Sequence, residues 1–96
     1  MIKLTKMFKA LGNPTREEIM RLLRKHTEMN VSMLTSKLHL AQPTVSQHLK
    51  ILLDAGVLKV RKEGNETFYS ICSTQIFDMI DKLLELYRGE PYKEKE

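Results

Sequence analysis

Six side chains between positions 42 and 50 hold the most informative chemistry of the chain: Gln42, Thr44, Ser46, Gln47, His48 and Lys50. They are short or medium in length, they offer hydrogen-bond donors and acceptors, and only Lys50 carries a full charge. Val45, Leu49, Leu52 and Leu53 are interleaved with them at i, i+4, i+7 and i+8, the spacing of a helix with one apolar face. Such a helix turns its polar set outward. That set suits the reading of base edges in a major groove, where hydrogen-bond patterns distinguish the base pairs. A merely solvated helix more usually displays Glu and Lys. Further on, Arg61 and Lys62 stand beside a turn, placed to reach phosphates or a minor groove. Glu63 and Glu66 partly cancel their charge, so a modest contribution is expected there.

Other chemistries have less support. There is no Ser/His/Asp spacing, no glycine-rich phosphate loop and no metal box, so neither catalysis nor a cofactor is expected. His26, His39 and His48 fall in separate elements with no i, i+4 pair. Asp78 and Asp81 share a helix, but two carboxylates alone make a poor site for zinc or a softer metal, and they read as a solvated edge. No metal is expected. Cys72 is the single cysteine, so an internal disulfide and a CxxC knuckle are both excluded. A lone cysteine at a strand end is ordinarily a half-buried apolar residue. A redox role for Cys72 would need an accessible thiolate, or pairing with a second copy of the chain.

The chain has 96 residues, 42% of them apolar and 29% charged, an ordinary globular balance for one domain. That size disfavours barrels and two-domain dinucleotide-binding enzymes. A domain this small buries only roughly 60–70% of its unfolded surface, so a partner chain is expected to add stability. No apolar run approaches the roughly 18–20 residues that span a membrane. The segment from Met1 to Lys6 opens an amphipathic pattern and not a signal peptide, so a cytoplasmic location is expected, with no membrane partner. The net charge is +4. Residues 1–60 hold 10 basic and 4 acidic side chains, whereas residues 71–96 hold 4 basic and 6 acidic. A basic front portion is compatible with a polyanionic partner.

The elements that would position these residues follow from periodicity and punctuation. Ile2, Leu4, Met7, Phe8 and Leu11 mark a first helix that stops at Gly12. Asn13 caps a second helix with Pro14 in its first turn and Ile19, Met20, Leu22 and Leu23 as its inner stripe; it fades at 26–28. Asn30 caps a third, with Val31, Leu34 and Leu38 inward. Residues 39–41 are a break, and the fourth helix runs from Gln42 to Ala55, where Gly56 ends it. Residues 57–61 and 67–72 read as two strands, joined by a turn over 62–66. Ser73 or Thr74 is expected to cap a final helix that carries Ile76, Phe77, Met79, Ile80, Leu83, Leu84, Leu86 and Tyr87. The expected fold is mainly α with a β-hairpin, a winged helix-turn-helix in the order ααααββα. One domain covers 1–88, and 89–96 is a frayed polar tail.

Within this layout, four stretches resemble the ArsR family of bacterial and archaeal repressors. They are Phe8-Lys9-Ala10-Leu11-Gly12-Asn13-Pro14-Thr15-Arg16, the run from Gln42 to Leu52, Ala55-Gly56-Val57-Leu58, and Gly64-Asn65-Glu66-Thr67-Phe68-Tyr69-Ser70. The resemblance implies a homodimeric, sequence-specific repressor that binds double-stranded DNA at a palindromic operator. It places Gln42, Thr44, Ser46, Gln47, His48 and Lys50 in the DNA-reading helix and makes 61–66 the wing. Thr15, Arg16, Lys37, Arg61 and Lys62 complete the expected DNA-contacting set. The first and last helices form the implied dimer interface, through Leu4, Met7, Phe8, Leu11, Ile76, Phe77, Ile80, Leu83, Leu84 and Tyr87. Where the family places cysteine metal ligands, this chain has Asn30 and Ser32, and no histidine follows His48 to join Asp78 and Asp81. Ala41 stands where the motif often has a capping Ser or Thr. The effector is not readable from the sequence. Two rival readings accompany the repressor: a winged-helix module for protein interaction, and a thiol-responsive repressor acting through Cys72.

Overall fold

A computed structural model describes residues 4–89 of the chain. The expectations for Ile2 and for the tail from 90 to 96 lie outside the described residues. The order is α1 (Leu4–Leu11), α2 (Pro14–His26), β1 (Glu28–Asn30), α3 (Val31–Leu38), α4 (Gln42–Asp54), β2 (Leu58–Glu63), β3 (Glu66–Ile71) and α5 (Ser73–Arg88). It is the winged helix-turn-helix expected from the sequence, with one strand more.

The helix boundaries have local chemical causes. The Asn13 side-chain oxygen accepts from the amides of Thr15 at 2.9 Å and Arg16 at 3.1 Å, which satisfies two orphan donors at the start of α2. Asn30 does the same for Met33 at 2.8 Å and starts α3. α4 ends in a Schellman motif: Gly56, at φ +82°, donates to Leu53 O at 2.9 Å, and Val57 donates to Leu52 O at 3.2 Å. Val57 is therefore a fully buried capping residue and not the start of the strand.

The core forms where the elements cross. Ile19 and Leu23 from α2, Leu34 from α3, Val45, Leu49 and Leu52 from α4, and Val57 are all buried. Met7 and Ala10 of α1 close one side, and Met29 and Leu58 of the sheet close another. Leu53 is only half-buried at its edge. Met7, expected at the dimer interface, thus belongs to the core of its own chain. Its 1% exposure leaves it no outward face.

Three boundaries differ from expectation. The strand β1 falls where only the fading end of a helix was read. It pairs antiparallel with β3, Met29 opposite Tyr69, in a sheet of order β1-β3-β2. Three residues are too few to display alternation, and their partners lie about 40 positions away. The hairpin is tighter than the expected five-residue turn: Glu63 pairs with Glu66 across Gly64-Asn65. Gly64 alone takes positive φ there, at +60°, the pattern of a II′ turn, whose twist matches the strands. Finally, Cys72 holds the N-cap position of α5, with no side-chain cap hydrogen bond, and Ser73 is already helical. The Cys72 amide instead donates to Val57 O at 2.9 Å, which fixes the strand-to-helix corner one residue early.

Candidate nucleic-acid interface

The two faces of α4 are divided over residues 42–50, and beyond them an apolar side chain, Ile51, comes to the surface. Val45, Leu49 and Leu52 are fully buried, whereas Gln42, Thr44, Ser46, Gln47 and Lys50 are exposed. α3 packs against α4 on its inner side. Between them His39 takes the left-handed conformation, φ 56° and ψ 39°, and its amide donates to Thr35 O at 3.0 Å. This turn sets the angle at which α4 leaves the body. Ala41 is the N-cap of α4 with an extended backbone and no side-chain bond, so one amide-satisfying contact is missing at the exposed end. Lys50 forms an i, i+4 pair with Asp54 at 3.3 Å, both largely exposed.

His48 is half-buried and differs from its neighbours on α4. Its Nδ1 lies 3.2 Å from Arg16 Nη1. Burial first, and the Arg16 charge second, push the imidazole below its usual value. Arg16 was expected at the DNA surface. Its guanidinium is instead turned inward across three elements: Nε donates to Ala10 O at 2.6 Å and Nη2 to Lys9 O at 3.2 Å. These are carbonyls of the last turn of α1, which lack helical partners. Thr15 is half-buried in the first turn of α2, and Lys37 is exposed in the last turn of α3.

The wing divides its two cations. Arg61 Nη2 donates to Glu28 Oε1 at 2.6 Å and Nη1 to Glu63 Oε2 at 2.6 Å, and the guanidinium lies 4.8 Å from the centre of the Phe68 ring. The Arg61 hydrogen bond holds the Glu28 carboxyl below its usual range. Lys62, one residue on, is exposed and makes no ion pair among the described residues. Arg61 was expected to face DNA together with Lys62; the structure ties it to the sheet through β1, the strand too short to show in the sequence pattern. Glu66 is likewise engaged, accepting from Asn30 Nδ2 at 3.2 Å.

The expected interface helices leave an apolar surface uncovered. No residue of α5 is buried, although Ile76 and Met79 lean on the core. Phe8 of α1 and Phe77, Ile80, Leu86 and Tyr87 of α5 are exposed, Phe77 by 64% and Tyr87 by 81%. Leu4, Leu11, Leu83 and Leu84 are half-buried. Cys72 is half-buried too; its thiol, 3.5 Å from Thr74 Oγ1, is held below its usual value by that contact first and the Gln75 backbone second. Among the described residues, no three His, Cys, Asp or Glu side chains gather as a metal-ligand set, and Asp78 and Asp81 are exposed. No helix among them is long and apolar enough to cross a membrane.

A helix-turn-helix whose second helix is apolar within and polar without, followed by a hairpin, defines a winged-helix DNA-binding protein. Residues 13–60 match the model of the arsR family of bacterial regulatory proteins. The chain is 42% identical over 84 residues to an uncharacterized HTH-type transcriptional regulator of Methanocaldococcus jannaschii, covering 88% of this chain and 94% of that protein. It is also similar to HlyU of Vibrio cholerae, a transcriptional activator, whose structure superposes with a TM-score of 0.70 at 37% identity, covering 88% of this chain and 90% of that one. The transcriptional repressor PagR of Bacillus anthracis superposes with a TM-score of 0.69 at 35% identity, covering 82% and 90%. This chain belongs to the ArsR family and is a DNA-binding transcriptional regulator. Its relatives are regulators and not enzymes.

Proposed function

We propose that the chain acts in the cytoplasm as a homodimeric repressor that recognises an imperfect palindrome in double-stranded DNA. The observation that carries the reading is the division of α4, with three fully buried aliphatic side chains on one face and five exposed polar ones on the other. Gln42, Thr44, Ser46, Gln47 and His48 read base edges, and Lys50 and Lys62 contact phosphates. Arg61 keeps the wing in register. The exposed apolar side chains of α1 and α5 supply the two-fold interface, because a stripe this apolar is unfavourable in water on so small a body. Two α4 helices then enter successive major grooves about 34 Å apart. A bound dimer over a promoter excludes polymerase, which gives repression.

The test is selection of binding sites from random duplex DNA, followed by a reporter carrying the selected site in its promoter. Two half-sites about 10 base pairs apart, with reporter output falling when the protein is expressed, are expected. A single unpaired half-site would overturn the dimeric reading. Activation of the reporter would overturn the assignment as a repressor.

A further inference from the structure

Arg16 and His48 are 32 residues apart in sequence and meet at 3.2 Å. A guanidinium has five donors and no acceptor, so this hydrogen bond requires His48 Nδ1 to carry a lone pair. The ring is then neutral, with its one proton on Nε2. The other Arg16 bonds, to Ala10 O and Lys9 O, fix the guanidinium on the end of α1 and deny it the freedom to follow a rotating ring. His48 thereby differs from the other polar residues of α4, which are exposed where it is half-buried. We infer that Arg16 is a positioning residue for DNA recognition: through His48 Nδ1 it sets the ring so that Nε2–H is a fixed donor on the reading face of α4. This rests on the proposal that α4 reads bases. A donor there selects an acceptor in the major groove: a purine N7, guanine O6 or thymine O4. The same guanidinium holds α1, one of the two proposed dimer helices, so the docking of α1 and the aim of His48 are set by one side chain.

The first measurement needs no variant. Long-range proton–nitrogen correlation spectra of the wild-type protein near pH 7.5 should show His48 as a single tautomer, protonated at Nε2. An Nδ1-protonated ring, or a mixture, overturns the inference. The second is a double-mutant cycle on a selected site and random DNA, with Arg16→Met, His48→Ala and both, after thermal melts confirm folding. Arg16→Met should give a tautomer mixture at His48 and a loss of about tenfold in preference at one base pair per half-site. In the His48→Ala background it should cost nothing further at that base pair. An additional loss there would overturn the link through His48. If Arg16→Met does not fold, Arg16→Lys replaces it. A lysine cannot span α1 and His48 together, so the same tautomer mixture is expected, and an unchanged single tautomer counts against the role of Arg16. Should the wild-type protein prefer no sequence over random DNA, base reading by α4 is what fails, and the inference about recognition falls with it, whereas the ring spectra still report the Arg16–His48 bond itself.

Discussion

Arg61 Nη2 lies 2.6 Å from Glu28 Oε1 and Nε lies 3.3 Å from Oε2, and this paired contact adds to the β1–β3 ladder in fastening the wing to a strand 33 residues earlier in the chain. Its neighbour Lys62 has no such partner among the described residues. Adjacent cations on one strand point to opposite faces, and here one is held by two carboxylates while the other stays exposed.

Substitution should separate them. Lys62→Ala should weaken binding to all DNA sequences about equally. The slope of log affinity against log salt should fall by about 0.9 for each phosphate that is no longer neutralised, about two units for a dimer. Arg61→Ala should lower the thermal midpoint and leave the salt slope close to wild type. A salt titration of both variants decides it. An unchanged slope for Lys62→Ala would mean that the wing does not touch phosphate.

Gln47 is exposed on the outward face of α4, above the buried Leu49 and Val45. A Gln amide offers a donor and an acceptor together and suits adenine. Gln47→Ala should cost about 1–3 kcal/mol per half-site on cognate DNA and relax the preference at one base pair of each half. Equal losses on cognate and random DNA would show that Gln47 contacts backbone.

The pH dependence of stability follows from His48. Its folded imidazole is held below the ordinary value of 6.5, by burial and then by Arg16. Between the folded value and 6.5 the unfolded chain binds more protons, so stability rises with pH in that window. The contribution is complete above 6.5 and is lost progressively as pH falls below it, until the folded value is passed. Urea midpoints of the wild type and His48→Gln should run parallel above pH 7 and converge or cross at lower pH. Parallel behaviour throughout would mean that the ring titrates alike in both states.

Much of this architecture is legible in the chain because its causes are local. Asn13, Asn30 and Gly56 act within five residues of themselves, and the apolar stripe of α4 is a matter of spacing. The features that sequence does not display depend on pairings that exist only after folding. β1 is defined by partners in β3. Arg16 is expected from the sequence in the DNA-contacting set, yet its acceptors are carbonyls left open at the end of another helix. Met7 lies on the same helix as the exposed Phe8, and only the packing of α1 on α4 and α5 decides which of them turns inward.

The uncapped start of α4 offers a gain in stability. Ala41 is exposed and already has the extended backbone of an N-cap, φ −67° and ψ 145°. A hydroxyl there needs no rearrangement to accept from an orphan amide of the first turn. Ala41→Ser should therefore stabilise the fold by about 0.5–2 kcal/mol, read from the urea midpoint at constant m-value. A neutral or destabilising result would show that water already satisfies those amides at no cost.

The last prediction concerns the apolar surface of α5. Phe77 and Tyr87 are 64% and 81% exposed, ten residues apart on one helix, with Ile80 exposed and Leu83 and Leu84 half-buried between them. A single chain gains nothing from leaving such groups in water, at about 25 cal/mol for each Å² of apolar surface. A two-fold partner would cover them. Charge placed in the middle of that stripe should reverse the balance, because an unpaired carboxylate buried in an interface is strongly unfavourable. Ile80→Glu should give a monomeric mass by light scattering at tens of micromolar, where the wild type gives a dimer. Ile80 is exposed in the protomer, so the fold and its circular dichroism should survive. The affinity of the variant for a palindromic site should drop to that for a single half-site, since two α4 helices no longer bind as a unit. A wild-type monomer at that concentration would contradict the interface outright. So would a variant that stays dimeric and binds DNA as before.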